Sequence, residues 1–399
     1  MEFKYLNLRY AFVNIGFLML FAGSMGYAYN FLSQSGFDDA TIGTVMSIIS
    51  LLGVFAGPAA GDLVDRSPKI TQKMFISASM VLCGAGALLL LVIPAGSPLI
   101  LPLVVVSFMS ASVGMPLLNS MAFIYEKAGG VINYGVCRGL GSAAYAVASN
   151  IVGRLWAVLG AKTLPFWVVA GAALTFFAVN LMPEAPTDLA LTDDEPAEPE
   201  AEGISIFQFF GKYRDITLVV LSLMLMYFCH FIINNYMSKV IGMFVSSNVE
   251  TVQGNAMFIA AMLELPAMFG FSFILKRFDV SKIIAVASVL YSVKHVLTFA
   301  CANVPMFYGA MALQMVSYAA LVPAVVYFAN EHVAEEDRNK GQAVFATAST
   351  IGGLLASFLG GWLFTYIPVR AVLGIGAAAS VGGTALMIFA LRKMAAKGE

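Results

Sequence analysis

The chain has 399 residues, 60% of them hydrophobic and only 11% charged, with a formal net charge of −1 and a mean hydropathy of +0.84. A water-soluble domain carries about a quarter of its residues as charges, so a soluble globular protein is excluded, and no nucleic-acid partner is expected. Apolar runs of the length that crosses a hydrocarbon core, about 20 residues for roughly 30 Å, recur from end to end. Backbone groups must pair internally in lipid, so each run is read as a helix.

Twelve spans are predicted in chain order. The first is Leu8 to Leu32; Lys4 and Arg9 precede its apolar stretch as in a leader peptide, but the run continues to about Leu32, too long for a cleaved one. Five more follow: Ala40 to Val64, Gln72 to Pro94, Pro98 to Tyr125, Tyr134 to Leu159 and Thr163 to Met182. After the break come Ile216 to Ile241, Val252 to Leu275, Ser281 to Ala302, Pro305 to Ala329, Gly341 to Thr365 and Arg370 to Leu391. The break, Pro183 to Glu202, is rich in proline and acid and lacks any basic residue, so an unfolded tether is expected. The expected organisation is therefore an N-terminal bundle (1–182), a linker with its lead-in (183–213) and a C-terminal bundle (214–399).

Lys and Arg set the orientation. Lys4, Arg9, Arg66, Lys69, Lys127, Lys212, Lys276, Arg277, Lys282, Arg338 and Arg392 fall on one side of the predicted spans, against Arg154, Lys162, Lys239 and Arg370 near the other. Both termini and the linker are expected on the cytoplasmic side, in a bacterial inner membrane. The four cysteines, Cys83, Cys137, Cys229 and Cys301, lie in apolar runs without metal-ligand spacing and read as small buried side chains.

The two halves are related. Thr41 through Arg66 aligns without a gap onto Val252 through Arg277, and Tyr134-Gly135 opening span 5 matches Lys340-Gly341 opening span 11. A parallel six-helix repeat implies a midplane site between the halves, opened alternately to each side. The segment Gly61-Asp62-Leu63-Val64-Asp65-Arg66 matches the G-x-L-x-D-R motif between the second and third helices of the major facilitator superfamily, which the chain resembles. That resemblance implies an all-α membrane fold of two pseudo-symmetric six-helix bundles, with Asp65 and Arg66 making gating charge pairs that hold the cytoplasmic side shut in one state.

Within the superfamily the chain is similar to the lactose permease group of oligosaccharide–proton symporters. The residues that carry this are Asn119, Glu126, Tyr134 through Gly141, Ile151-Val152-Gly153, Leu263-Glu264-Leu265 and Ser292-Val293-Lys294. The likeness implies a Glu126–Arg138 pair holding sugar hydroxyls. It also implies an aromatic ring against the sugar at Tyr145, where the group has tryptophan. Arg138 and Tyr145 are two helical turns apart on one face. The sequence departs from the group in the tenth span, which lacks its lysine, histidine and glutamate, and in the seventh, where Asn235 replaces an acid.

An ionisable side chain inside a span costs a few kcal/mol and needs a partner or a function. Arg138, Glu264 and Lys294 lie deep, and Glu126 sits at the cytoplasmic end of span 4. Glu264 is the candidate proton carrier: its repeat mate is Gly53, so the symmetric scaffold does not require it. Lys294 approaching or withdrawing could switch its charge, while a static Glu264–Lys294 packing pair is the competing reading. His230 and His295 are candidates for contact with substrate or proton. Asn119, Asn235 and Gln314, with Asn14, Asn30 and Asn234, suit hydroxyl recognition or interhelical hydrogen bonding.

The sequence has no Walker motif, nucleotide fold, zinc spacing or catalytic triad. The expectation is a monomeric, cofactor-free transporter rather than an enzyme, driven by the proton gradient, with the bilayer, protons and a small solute as partners. The first reading is symport of a sugar or oligosaccharide. The others are a proton-coupled nucleoside or aromatic-acid importer and a proton-antiport exporter of drugs or metabolites.

Overall fold

The computed structural model describes residues 4–67, 69–184 and 206–398, so the expected tether lies almost wholly outside the described residues. Among the described residues every regular element is helical. The chain forms two units, Met1–Glu198 and Pro199–Glu399.

The first unit runs α1 (Leu6–Ser24), α2 (Ala28–Gln34), α3 (Asp39–Arg66), α4 (Gln72–Val92), α5 (Ile100–Lys127), α6 (Tyr134–Leu159), a 3-10 turn at Gly160–Lys162, and α7 (Thr163–Asn180). The second runs α8 (Ile206–Lys212), α9 (Arg214–Asn235), α10 (Met237–Ile241), α11 (Val249–Leu275), α12 (Val280–Ala300), α13 (Val304–Ala312), α14 (Tyr318–His332), α15 (Arg338–Tyr366) and α16 (Val369–Gly398). Side-chain caps fix several of the starts. The oxygens of Asp38, Thr71, Asn133 and Asn303 accept the amides of Thr41, Met74, Val136 and Met306 at 2.7–3.2 Å, satisfying donors that a helix end leaves unpaired.

Eleven segments are long and apolar enough to cross a membrane. One of them, Tyr134–Asn180, has 47 residues, about twice the ~20 that a crossing needs, and holds two helices on either side of Gly160–Lys162. A count of twelve crossings requires this segment to cross twice. Multiple crossings make the chain a multi-pass integral membrane protein.

Three predicted continuous spans are broken. Span 1 is α1 and α2, span 7 is α9 and α10, and span 10 is α13 and α14 joined through a 3-10 turn at Leu313–Met315. Uniform hydropathy conceals such breaks, because the freed backbone groups are paired by the protein rather than by water. The predicted lead-in to span 7 contains α8, whose Phe209 is fully buried in the second unit's core. Lys212 at its end reaches Asp337 at 2.7 Å and Glu336 at 3.0 Å. The ammonium holds the Asp337 carboxyl below the usual carboxylate range.

The breaks repeat. At the first, Tyr27 donates to the Ser149 carbonyl on α6 at 2.7 Å and stacks on Trp156, with centroids 5.6 Å apart. At the equivalent break in the second unit, Tyr236 donates to the Ser357 carbonyl on α15 at 2.5 Å and packs on Phe364 at 4.9 Å. Glycine permits the same approach in both units. A Cβ at Gly141 would sit 3.0 Å from the Asn14 carbonyl on α1, and one at Gly352 would sit 2.8 Å from the Tyr227 Cβ on α9.

Candidate functional site

Helix α12 has its polarity turned inward. Its buried face carries Ser288, Tyr291, Ser292, Lys294, His295 and Thr298, while Val286, Val289, Val293, Val296 and Leu297 are exposed. That is the pattern of a helix with lipid on one side and a polar function on the other. The opposing face of α9 presents Tyr227, His230 and Asn234, at helical spacing. Gln314 enters from the 3-10 turn that breaks span 10, with Tyr318 one turn on. Glu264 comes from the middle of α11, and Ser380 and Thr384 lie one turn apart on α16.

Gln314 joins the two charges. Its carbonyl accepts a hydrogen bond from Lys294, and its amide nitrogen donates to Glu264 Oε1 at 2.7 Å. Among the described residues Lys294 and Glu264 form no direct ion pair, so the expected pair is bridged by a neutral amide. Lys294 is 1% exposed, Gln314 5%, and Glu264 is half-buried at the edge of the cluster. A buried ammonium with one oxygen partner and a carboxylate with one amide partner are each under-coordinated by the standard for buried charges.

Around this chain lies a ring of aromatic side chains. His230 stacks almost parallel on Tyr318, with centroids 4.9 Å apart and planes at 8°. Tyr291 packs on His295 at 4.4 Å and on His230 at 5.4 Å. His230 Nε2 meets the Asn234 amide at 2.7 Å, and His295 Nδ1 meets Ser380 Oγ at 2.7 Å. From Ser380 a line of hydroxyls continues through Ser292 at 2.9 Å to Thr384 at 2.7 Å. His230 Nδ1, His295 Nε2 and the Tyr291 hydroxyl are buried with no hydrogen-bond partner among the described residues. The cluster thus has hydrogen-bonding capacity that the protein itself leaves unused.

Six sequence candidates therefore come together in the second unit: His230, Asn234, Glu264, Lys294, His295 and Gln314. Asn235 does not join them, because its amide reaches Ser357 Oγ on α15 at 2.9 Å. In the first unit Arg138, Tyr145 and Asn119 are half-buried and Glu126 is exposed. Arg138 Nη1 lies 3.4 Å from Ser142 Oγ one turn along α6, and among the described residues it has no ion pair with Glu126. Arg66 pairs with Asp62 at 2.5 Å within α3, and Asp65 makes no ion pair among the described residues.

Sequence reasoning missed Tyr227, Tyr291, Tyr318, Ser380 and Thr384. Tyrosine and hydroxyl residues in an apolar run read as bulk. The available signal was spacing: Tyr291, Lys294, His295 and Thr298 fall on one helical stripe.

The MFS_1 like family model matches residues 10–372. No curated protein matches. Among solved structures, a mutant form of the nucleoside transporter NupG is similar with a TM-score of 0.81 at 16% identity, covering 96% of this chain and 99% of that one. A POT family transporter in complex with a thioalcohol-conjugated peptide has a TM-score of 0.70 at 11% identity, covering 96% and 95%. An inward-facing bacterial homologue of the iron transporter ferroportin has a TM-score of 0.66 at 13% identity, covering 97% and 98%.

Proposed function

The chain belongs to the MFS_1 like family of major facilitator transporters, and from that premise we propose that it carries a neutral, hydroxyl-bearing ring solute together with protons, by alternating access and as a monomer. The observation that carries this reading is the Lys294–Gln314–Glu264 chain inside an apolar unit. Gln314 accepts from an ammonium and donates to a carboxylate. A sugar or ribose hydroxyl also accepts and donates through one atom. Such a hydroxyl can therefore take the place of the amide between the two charges.

Glu264 is the proton carrier in this reading. Protonated, it no longer neutralises Lys294 and offers a donor to the solute; ionised, it pulls the chain back toward Gln314. Proton and solute then bear on one network, the physical requirement for coupling.

A nucleoside is the substrate that the second unit's chemistry favours. Tyr318, half-buried and stacked on His230, offers an aromatic surface to a base, and its neighbours supply unused hydrogen-bonding atoms. The fold likeness to a nucleoside transporter supports testing nucleosides first. A sugar is the second reading, supported by Arg138 and Tyr145 on one face of α6.

A thermal-shift screen of the purified protein against nucleosides, mono- and disaccharides and organic acids tests the reading. A specific ligand at a hundred times its Kd stabilises the folded state by about 2.7 kcal/mol. Nucleosides or sugars are expected to raise the unfolding temperature. A response confined to organic acids would overturn the assignment. Arg138→Lys separates the two substrates, because lysine keeps the charge but loses the guanidinium fork: sugar binding should collapse and nucleoside binding should change little.

A further inference from the structure

Two grooves run along α12 on the outside of the second unit. One, of about 540 Å³, lies between α11, α12 and the start of α14, lined by Pro266, Gly270, Phe273 and Met315. The other, of about 550 Å³, lies between α12 and α16, lined by Val289, Ile388, Leu391 and Ala395. Lys282, Val286 and Leu290 line both, so the grooves straddle one helix and meet at its beginning. Val286, on the ridge between them, is 60% exposed.

The grooves are apolar along their length and basic at one end. Lys282 and Arg392 both line the second groove. Both side chains are exposed, and neither makes an ion pair among the described residues. The neighbouring Lys393, by contrast, is paired with Asp215 at 2.8 Å. Asp279 stands at the same end, but its carboxylate is engaged by the amides of Ser281 and Lys282 at 2.9 and 3.3 Å. Lys276 and Arg277, exposed in the turn before α12, add to the positive field.

We propose that this is a binding site for one anionic diacyl phospholipid, its phosphate held between Lys282 and Arg392 and its two acyl chains laid on either side of α12. The charge complementarity selects the headgroup, and the paired apolar grooves select a two-chain lipid over a soluble phosphate. This end of α12 is also the one whose loops carry the excess of Lys and Arg, the side on which membranes present their anionic lipids.

The test is native mass spectrometry of the full chain, delipidated in detergent and titrated with phosphatidylglycerol or phosphatidylethanolamine bearing the same acyl chains. One phosphatidylglycerol should be retained preferentially, by about thirtyfold for two surface cations. Lys282→Gln with Arg392→Gln should abolish that preference, and Lys162→Gln, in the first unit, should leave it intact. Val286→Trp, which fills the ridge between the grooves, should weaken both lipids alike, and excess glycerol phosphate should displace neither. Equal retention of the two lipids, a preference that survives removal of both cations, or displacement by glycerol phosphate would each overturn the proposal. Unfolding temperatures of the lipid-free variants, expected to match that of the unsubstituted protein, separate loss of the site from loss of the fold.

Discussion

Lys294, Gln314 and Glu264 can be separated by substitution because each stands in a different energetic position. Removing one charge of a buried linked pair leaves the other uncompensated, whereas removing both can be nearly neutral. Lys294→Met alone, which strands Glu264, should therefore destabilise the protein by about 3–5 kcal/mol. Lys294→Met combined with Glu264→Gln should cost much less than the sum of the two single changes. Unfolding of the four proteins in one detergent closes the cycle. If the two effects simply add, the amide bridge does not couple the charges, and the reading of these residues as one network fails.

At the scale of elements, tight contacts between crossing helices make the clearest prediction. Gly352 lies where α15 crosses α9, with a substituent Cβ placed 2.8 Å from the Tyr227 Cβ and 3.1 Å from the Met224 carbonyl. Backbone cannot yield as a side-chain tip can, so Gly352→Ala should cost about 1–3 kcal/mol, measurable as a lower unfolding temperature. Gly36, at φ 94° with open space around it, should lose stability from backbone conformation instead. Most of the helical layout was legible in the sequence, because apolar length and basic loops follow directly from the bilayer's thickness and field. The breaks at Tyr27, at Tyr236 and around Gln314 were not. Nothing in local hydropathy distinguishes a helix that runs on from one whose turn is held by a distant tyrosine hydroxyl. The candidate site was half legible for the same reason. Charge in an apolar run marks Glu264 and Lys294, whereas the place of Gln314 between them depends on a 3-10 turn that only tertiary packing reveals.

For the molecule as a whole, orientation and coupling are the claims to test. The basic-loop bias implies that the loop holding Glu335 is cytoplasmic and that the loop holding Ser97 faces the opposite side. On a background without native cysteines, Ser97→Cys should react with a membrane-impermeant thiol reagent in intact cells, and Glu335→Cys should react only after the membrane is opened. The reverse pattern would invert the topology and move the proposed lipid site to the other leaflet. Coupling rests on Glu264, since the tenth span offers Gln314 and no acid. Glutamine at that position keeps the size of a protonated glutamate and cannot release a proton. The most direct measurement compares Glu264→Gln with the unsubstituted protein in proteoliposomes, reading accumulation driven by a proton gradient beside exchange at equilibrium. The account predicts that uphill accumulation is abolished while binding and exchange persist, and that the pH dependence of substrate affinity disappears. Uphill transport surviving in Glu264→Gln, or an unchanged pH dependence, would contradict it and put the proton elsewhere.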